Sequence, residues 1–351
     1  MQSLGWTPER AVQLAALDRP GLVGARVASA HRGRLDLLGP DGPIAGRVPG
    51  RLRHAAVTPA DLPAVGDWVA VNPDSGTVHA VLPRRGGITR ATPGGQSYAQ
   101  VLAANVDVAL IVGSLNRDLN IRRIERMLAL AADARADAVV VLSKADLVAD
   151  PWAQATDVRL ALGATVPVIA LSVHAGTGLD ALGAWLQPGT TAVLLGSSGA
   201  GKTTLLNALS GGPPRKTAEI RASDDRGRHA TTVRELVPLP GGAIVIDTPG
   251  LRLPRVWDEA AGLDVSFADI ADLALRCRFA DCRHHGEPGC AVAAAVADGS
   301  LPAERVAGMA KLEHERARIE ARRDARARAD AARAGRAMQR RYREAVKAKG
   351  R

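Results

Sequence analysis

The stretch Gly196 to Thr204 has the sequence Gly-Ser-Ser-Gly-Ala-Gly-Lys-Thr-Thr and lies between an apolar run and an amphipathic run. Ala192 to Leu195 end a segment typical of a buried strand, and Leu205, Leu206 and Leu209 have helical spacing. The glycines therefore fall in a strand-to-helix turn, where successive backbone N–H groups can surround a phosphate. The G-x4-G-K-T spacing in this context predicts a phosphate-binding loop.

Two side chains of this loop have expected roles. Lys202 should reach the β- and γ-phosphates, and Thr203 should place its hydroxyl on Mg²⁺. A glycine-rich turn without a ligand is the alternative, and the complete spacing argues against it. The predicted nucleotide-binding residues of the loop are Gly196, Ser197, Ser198, Gly199, Ala200, Gly201, Lys202, Thr203 and Thr204.

Charge is distributed unevenly along the 351 residues. The formal net charge is +10, and the segment Ala303 to Arg351 alone holds 16 Lys and Arg against 7 Asp and Glu. This surplus suggests a polyanionic partner, with a solvated basic helix as the alternative for the tail. No apolar run approaches the roughly 20 residues that cross a bilayer, and the N-terminus lacks a signal pattern. We therefore expect no membrane association and a cytoplasmic location.

The first part of the chain has the pattern of a small β-barrel. Residues 1 to about 20 are predicted to be a loosely held lead-in. Trp68 is the only aromatic residue from Gly21 to Arg90, and alternation places it in the core or on the surface. Five strands favour an OB-like barrel suited to nucleic acid, with a structural β-domain as the alternative. The predicted strands are Leu22 to Val27, Arg34 to Leu38, Ile44 to Val48, Asp67 to Val71 and Thr77 to Leu82.

An α/β domain follows the segment Arg84 to Gly95, whose Arg, Gly, Thr and Pro content predicts a linker. Val106 to Val112 and Ala138 to Leu142 are apolar runs typical of buried parallel strands, and Ile121 to Ala132 between them has helical spacing. The alternation continues to a strand at Ala243 to Ile246. The pattern predicts a mostly parallel sheet covered by helices.

Two polar motifs follow successive predicted strands. In guanine-specific P-loop proteins a strand ends in Asn-Lys-x-Asp, whose Asp accepts from the guanine N1–H and exocyclic amine; this chain has Ser143-Lys144-Ala145-Asp146. Ser172-Val173 follows the next strand and is similar to the Ser-Ala loop that backs the guanine. Each motif alone is weak, since the first could be a solvated helix start. Together they favour guanine.

A third motif follows the phosphate loop. Asp247-Thr248-Pro249-Gly250 stands after a buried strand, so Asp247 can hold Mg²⁺ through water and the Gly250 amide can reach the γ-phosphate. Between the two motifs lies Arg226-Gly227-Arg228-His229-Ala230-Thr231-Thr232, a polar loop where a switch threonine for Mg²⁺ is expected. Thr231 is favoured over Thr232.

Hydrolysis requires a group that orients water, and Leu251 stands where Ras-type enzymes place a Gln. Because an apolar side chain cannot polarise water, intrinsic hydrolysis should be slow. His229 is the candidate that a mobile switch could carry to the attacking water, and Lys202 and Thr231 complete the predicted catalytic set. A solvent-exposed loop histidine is the alternative for His229.

The order of the motifs is unusual. An ordinary GTPase runs phosphate loop, switch threonine, D-x-x-G, N-K-x-D and S-A, whereas here the last two come first. A circular permutation explains this order, and the set resembles the bacterial RsgA family, also called YjeQ, of ribosome small-subunit-dependent GTPases. The resemblance spans nearly the whole chain, because it includes the barrel, the Gly-Arg-His-x-Thr-Thr loop and a C-terminal cysteine cluster. Departures from the family pattern are Ser143 for Asn, Val173 for Ala and Ala230 for Thr.

The three cysteines, Cys277, Cys282 and Cys290, lie close together in the sequence, and an odd clustered count favours metal binding over disulfides. With a histidine between them they supply the four ligands of a structural Zn²⁺ site. Spacing leaves both His284 and His285 open as the fourth ligand. The family pattern selects His284.

The resemblance implies three domains: an OB-like β-barrel at residues 1–90, a circularly permuted GTPase domain at 96–256, and a zinc-binding helical subdomain with a basic tail at 257–351. It implies GTP or GDP, Mg²⁺ and one structural Zn²⁺ as cofactors. It also implies GTP hydrolysis on the small (30S) ribosomal subunit and its rRNA late in maturation, followed by release. We expect a monomer.

Two alternatives to this function remain. One is a nucleotide-gated RNA-binding module or RNA chaperone with incidental hydrolysis, and the other is an ATPase. A further motif, Leu209-Ser210-Gly211-Gly212, copies the start of an ABC-transporter signature. That segment ends the helix of the phosphate loop itself, so we interpret its glycines as a helix C-cap.

Overall fold

The computed structural model describes residues 1–31, 33–91, 99–116, 119–212, 234–248, 266–315 and 317. Several predicted features lie outside these residues: the loop Arg226 to Thr232, Gly250, Leu251 and the tail beyond residue 317.

The first twenty residues are packed onto the protein. Helix α1, Pro8–Ala15, begins with Pro at its first position and carries Arg10, which is 1% exposed and donates to Asn105 Oδ1 at 2.7 Å. Trp6 packs edge-on against Trp68 with ring centroids 4.8 Å apart. The prediction of a loosely held lead-in is therefore wrong, because its partners lie far along the chain.

Five strands form the predicted barrel. Neighbouring strands pair antiparallel, and a parallel bridge between Arg47 and Thr77 joins the third strand to the start of the fifth, which closes the barrel. Trp68 is 1% exposed and therefore belongs to the core, whereas the sequence pattern had allowed either the core or the surface. Helix α2, Gly50–Ala55, lies between the third and fourth strands. The strands are β1 Val23–Ala30, β2 Arg34–Gly39, β3 Gly42–Arg47, β4 Trp68–Val71 and β5 Val78–Val81.

The predicted linker contains a strand. Strand β6, Gly87–Ala91, lies within the stretch expected to join two domains and pairs antiparallel with strand β7, Ala99–Ala104, which follows that stretch. Ile88, Leu102 and Ala103 are fully buried in the same core as the α/β domain. The prediction of a plain linker over Arg84 to Gly95 is wrong, because the Gly and Pro that suggested a loop flank a paired strand.

The α/β domain has the predicted parallel sheet. Its strand order is β10-β9-β8-β11-β13-β12, all parallel except β12, which pairs antiparallel with β13. Residue Glu235 of β12 also pairs with Ser29 of β1, so the sheet continues into the barrel. The elements are β8 Val108–Ser114, α3 Ile121–Asp133, β9 Asp137–Ser143, α4 Pro151–Ala161, β10 Val168–Ala170, β11 Thr191–Gly196, α5 Lys202–Ser210, β12 Glu235–Pro238 and β13 Ile244–Asp247.

The barrel is fixed to this sheet by a buried arginine. Arg26 of β1 is 1% exposed, and its guanidinium donates to Thr191 Oγ1 at 2.8 Å and to the carbonyl oxygens of Leu4, Gly66 and Asn105. Burial lowers the pKa of Arg26 to about 10. Four acceptors around one buried cation hold β1 against the first residue of β11.

The C-terminal subdomain is helical and packs on α3. It contains α6, Ala268–Ala274, α7, Ala291–Ala297, and helical residues 303–315. Its apolar core includes Ala129 of α3, so the subdomain and the α/β domain share one cluster. The buried apolar members from the subdomain itself are Phe267, Ile270, Val292, Ala295, Leu301 and Leu312.

A buried ionic network reinforces this contact. Arg305 is 3% exposed and donates to both carboxylate oxygens of Asp269 at 2.6 and 2.8 Å and to Glu125 Oε1 of α3 at 3.3 Å. Its guanidinium also lies 4.8 Å from the ring centroid of Phe267. At the edge of the contact, Arg126 of α3 pairs with Glu315 at 2.8 Å. Charged groups therefore link the cysteine-bearing subdomain to the α/β domain.

Candidate nucleotide and metal sites

Four predicted segments meet at one edge of the sheet. The phosphate loop follows β11, the Ser143 to Asp146 motif ends β9, Ser172 follows β10, and Asp247 ends β13. Because these strands are parallel, their carboxyl ends lie on the same side. The chain runs outward through β8, β9 and β10 and then returns to β11 beside β8. Ligands of open α/β sheets bind at such a reversal of strand order.

Backbone geometry explains the glycines of the phosphate loop. Gly199 and Gly201 have φ of 80° and 91°, a region that side chains with a Cβ rarely adopt. A Cβ on Gly196 would lie 2.4 Å from the carbonyl oxygen of Val112. Gly201 is the N-cap of α5, which begins at Lys202. The loop therefore presents the N-terminus of α5, as anion binding requires.

Lys202 is folded back into the loop. It is 7% exposed, and its ammonium donates to the carbonyl oxygens of Gly196 at 2.9 Å and Ser197 at 2.7 Å. Burial lowers the pKa of Lys202 to about 8, while the nearby carboxylate of Asp247 raises it. An anionic phosphate would compete with the two carbonyls for this ammonium and would favour its charged form.

Ser143 joins the strand that would read the base to the phosphate loop. Its side chain is 4% exposed, and its hydroxyl donates to the carbonyl oxygen of Ala200 at 2.6 Å. Lys144 has φ of 60°, and its ammonium donates to the carbonyl oxygen of Gly199 at 2.9 Å. Although Ser143 replaces the Asn of the usual motif, its side chain still connects the end of β9 to the phosphate loop.

The carboxylate of Asp146 is held by Ser172. The Ser172 hydroxyl donates to Asp146 Oδ1 and accepts from the Ala175 amide at 3.0 Å. The hydrogen bond from Ser172 lowers the pKa of Asp146. Asp146 itself is exposed, so its ionised carboxylate faces the edge where a base would bind. Val173 packs against the apolar cluster beneath this loop.

Asp247 and Thr248 stand at the end of the strand beside β11. Asp247 is 5% exposed, and the Thr248 hydroxyl donates to the Leu194 carbonyl oxygen of β11 at 2.6 Å. Sequence reasoning gave Thr248 no role, although it lies inside the recognised motif. Its hydrogen bond fixes the exit from β13 beside the phosphate loop.

Three predicted site residues lie outside the described part of the chain: His229, Thr231 and Gly250. Ala145 is 7% exposed, and its amide donates to the Leu171 carbonyl oxygen at 3.1 Å. Of the remaining loop residues, Ser198 and Thr204 are exposed and Thr203 is half-buried.

The predicted zinc ligands lie together in space. The ligand atoms of Cys277, Cys282, His284 and Cys290 are all within 4.8 Å of one another. Cys277 Sγ lies 3.9 Å from Cys290 Sγ and 3.7 Å from His284 Nδ1, and His284 Nδ1 lies 3.4 Å from Cys290 Sγ. Zn–S bonds of about 2.3 Å and Zn–N bonds of about 2.05 Å at tetrahedral angles put sulfurs about 3.8 Å apart and sulfur about 3.5 Å from nitrogen. The three distances among Cys277, His284 and Cys290 therefore match tetrahedral zinc, and Cys282 Sγ completes the donor set within 4.8 Å.

The geometry selects one of the two adjacent histidines. His284 has φ of 62°, a left-handed conformation uncommon for a residue with a Cβ, and its Nδ1 joins the three sulfurs. The next residue, His285, instead donates its backbone amide to Glu287 at 2.7 Å. Cys290 caps α7, where its sulfur accepts from the Ala293 amide at 3.3 Å. A metal here would join the loop to α7.

The fold and the arrangement of motifs define a P-loop nucleotide-binding protein of permuted order with a small β-barrel before it. The family model described as RsgA GTPase matches residues 81–257. The chain belongs to the RsgA GTPase family.

The relatives support this assignment over nearly the whole chain. A protein of Opitutus terrae called small ribosomal subunit biogenesis GTPase RsgA is 47% identical over 331 residues, which cover 90% of each chain. A Streptomyces coelicolor protein of the same name is 46% identical over 94% of this chain and 90% of its own. The solved structure of YjeQ from Thermotoga maritima has the same fold, with a TM-score of 0.63, 24% identity, and 84% of this chain and 98% of that chain covered.

Among the described residues, none of the helices is both long enough and apolar enough to cross a membrane.

Proposed function

We propose that this chain is a GTP hydrolase that acts in late maturation of the small ribosomal subunit, with hydrolysis stimulated by the subunit and coupled to release. The observation that carries the proposal is the convergence of the phosphate loop, Asp146 and Asp247 at one sheet edge in permuted order. The relatives that share this order over most of their length are named for small-subunit biogenesis.

The phosphates are held by the loop after β11. Backbone amides from Gly196 to Thr204 surround the β- and γ-phosphates, and Lys202 exchanges its carbonyl partners for phosphate oxygens. Thr203, Asp247 and Thr231 would hold Mg²⁺, which neutralises charge that develops on the transferring phosphoryl group. Gly250 would donate its amide to the γ-phosphate.

The base is read at the ends of β9 and β10. The ionised carboxylate of Asp146 accepts from the N1–H and the exocyclic amine of guanine, and Ser172 holds that carboxylate in place. Adenine lacks this donor pair, so Asp146 excludes ATP. Lys144 and Val173 flank the base, and Ser143 keeps the base and phosphate segments together.

Hydrolysis needs a group that accepts a proton from the attacking water, and we assign that group to the loop Arg226 to Thr232. Water attacks the γ-phosphorus, the bond to the β-phosphate oxygen breaks, and the water proton must be accepted. With Leu251 in place of a polar side chain, we assign that role to His229 when the chain is bound to the small subunit. Free protein should therefore turn over slowly.

The barrel, the GTPase domain and the zinc-binding region each contribute to this function. The barrel at residues 1–90, the GTPase domain at 96–256 and the zinc-binding region at 257–351 act together, and the zinc-binding region contributes the basic tail. The chain would act as a monomer in the cytoplasm, with one zinc at Cys277, Cys282, His284 and Cys290.

Nucleotide-dependent binding tests the proposal. Purified small subunits should co-sediment with the chain in the presence of a non-hydrolysable GTP analogue and should retain much less of it with GDP. Large subunits and ATP analogues are the controls. Equal retention with GDP and with the analogue would contradict coupling of hydrolysis to release. If naked rRNA bound the chain as well as intact subunits did, the RNA-chaperone alternative would be favoured.

A further inference from the structure

Three side chains from separate elements meet on the surface of the barrel. Arg19 follows α1, Arg51 lies on α2 and His79 lies on β5. Arg19 Nη1 lies 3.3 Å and Arg51 Nη2 lies 3.0 Å from the same imidazole nitrogen, His79 Nδ1. Both arginines are exposed, and His79 is half-buried. We call these three residues the barrel cation cluster.

The two guanidinium groups of the cluster share a single acceptor. A neutral imidazole nitrogen offers one in-plane lone pair, yet two guanidinium groups point at it. Burial and the charges of Arg51 and Arg19 lower the pKa of His79 and so favour its neutral form. The two guanidinium groups that face Nδ1 favour the tautomer in which this nitrogen is the acceptor. The ion pairs found among the described residues include neither arginine. Two like charges thus stand together where an anion would relieve their repulsion.

A phosphate fits this arrangement, whereas a stacked base does not. Its oxygens carry enough lone pairs to accept from both guanidinium groups, and arginine forks match phosphate geometry. The aromatic rings of the barrel do not supply a stacking surface, because Trp68 is buried and Trp6 packs against it. The barrel can therefore hold a nucleic-acid backbone here, without reading bases.

We propose that the barrel cation cluster binds a backbone phosphate of the small-subunit RNA, with Arg19 and Arg51 as the donors and His79 as the group that orients them. This proposal rests on the proposed function, because the RNA is that of the subunit on which the chain would act. The cluster adds to binding strength and orientation and carries no sequence specificity.

Salt dependence of subunit binding tests the cluster. Because one phosphate contact is lost, the double variant Arg19→Gln and Arg51→Gln should show a slope of log K against log salt that is shallower than that of wild type by about one. The matched control, Arg34→Gln with Arg159→Gln, removes two exposed arginines elsewhere and should keep the wild-type slope. GDP affinity should be the same in all three proteins, which shows that the nucleotide site is intact. A cluster variant with the wild-type slope would overturn the proposal and leave the proposed function standing.

A second measurement does not depend on the ribosome. The imidazole resonances of His79, assigned with His79→Gln, can be followed by NMR as wild-type protein is titrated with pH in the presence and absence of a single-stranded RNA oligonucleotide. A bound phosphate should raise the pKa of His79, and the cluster variant should lose that response. An unchanged pKa of His79 at saturating RNA would contradict the proposal. If wild type bound the oligonucleotide through His79 but did not bind small subunits, the proposed function would fail, and the cluster would be a phosphate site for RNA other than that of the small subunit.

Discussion

The Ser143 hydroxyl donates a 2.6 Å hydrogen bond to the carbonyl oxygen of Ala200, so the last residue of β9 holds the phosphate loop. Lys144 adds a parallel contact to Gly199. The segment proposed to read guanine and the segment proposed to bind phosphate are therefore joined by two side chains from adjacent positions. Protein contacts alone fix the distance between the two halves of the nucleotide site.

Removal of the Ser143 hydroxyl should weaken nucleotide binding. Ser143→Ala leaves a buried carbonyl without its donor and loosens the loop, so we expect a loss of about 1 kcal/mol, a factor of about five in GDP affinity. Calorimetric titration measures this directly. Ser210→Ala is the control, because the Ser210 hydroxyl makes only a 3.3 Å bond within its own helix. Equal affinities for both variants would refute the role of Ser143.

Nucleotide binding should take up protons near pH 8. The pKa of Lys202 is lowered to about 8 by burial, and bound phosphate should raise it again. At pH 8 the Lys202 side chain is then neutral in about half of the free protein molecules and becomes charged when nucleotide binds. Proton uptake should therefore approach about half a proton per nucleotide at pH 8 and fall toward zero below pH 7. Titration of Mg²⁺·GDP in buffers of different ionisation enthalpy reports the uptake. Lys202→Arg stays charged, so any residual binding by it should show no uptake at pH 8; uptake equal to that of wild type would exclude Lys202 as the source.

The cysteine cluster should hold one zinc ion per chain. His284→Ala removes a ligand and should lose most of the metal after dialysis, whereas His285→Ala should retain it, because the group of close ligand atoms includes His284 and not His285. Atomic emission on purified proteins gives the stoichiometry. Metal retained by His284→Ala but lost by His285→Ala would reverse the ligand assignment, and less than about half an equivalent in wild type would reject the site.

Loss of Arg305 should release the C-terminal subdomain from α3. Arg305→Met leaves the buried carboxylate of Glu125 without this cation, and breaking such a pair costs about 3–5 kcal/mol. Burial already raises the pKa of Glu125, so its charged form depends on nearby cations. Amide hydrogens of α6 should exchange with solvent at least about tenfold faster.

The matched control for Arg305 is the outer pair at the same contact. Glu315→Gln weakens its partly exposed pair with Arg126, which should cost less than about 1 kcal/mol and leave exchange in α6 unchanged. Adding Glu125→Gln to Arg305→Met should restore part of the protection. Indistinguishable exchange in Arg305→Met and wild type would show that the network does not hold the subdomain.

His229 should matter only on the small subunit. His229→Ala should lower subunit-stimulated hydrolysis by about 10²–10⁴-fold and leave GDP affinity unchanged, since a group that activates water acts in the transition state. His54→Ala, an exposed histidine on the barrel, is the control. Single-turnover hydrolysis by His229→Ala at the wild-type rate with subunits present would exclude the assignment.

Local patterns predicted the local sites. The phosphate loop and the three cysteines each lie within a short stretch of chain, so spacing pointed to both. The loop lies between β11 and α5, and the three sulfurs lie with a ring nitrogen of His284 within 4.8 Å of one another. The five barrel strands and the parallel sheet also followed from hydrophobic patterning. Gly211, with φ of 60°, ends α5 as the predicted C-cap.

Contacts between distant segments were beyond such reasoning. Arg10 appeared to belong to a loose lead-in, yet its partner Asn105 lies in the connection that follows β7. The sequence of strand β6 indicated a linker, because the strand is stabilised by pairing with β7 and its own residues give little sign of this. The Glu125 to Arg305 pair joins residues 180 positions apart, and no local signal marks either as buried. Three-dimensional partners, which local propensity does not encode, decide these features.

The rate of GTP hydrolysis with and without purified small subunits tests the central claim most directly. Free protein should hydrolyse GTP slowly, and small subunits should accelerate it by orders of magnitude, since a catalytic group supplied through a partner is worth about 10³–10⁵ in kcat. Large subunits and ATP should give no acceleration. A rate with small subunits equal to that of the free protein would contradict the account.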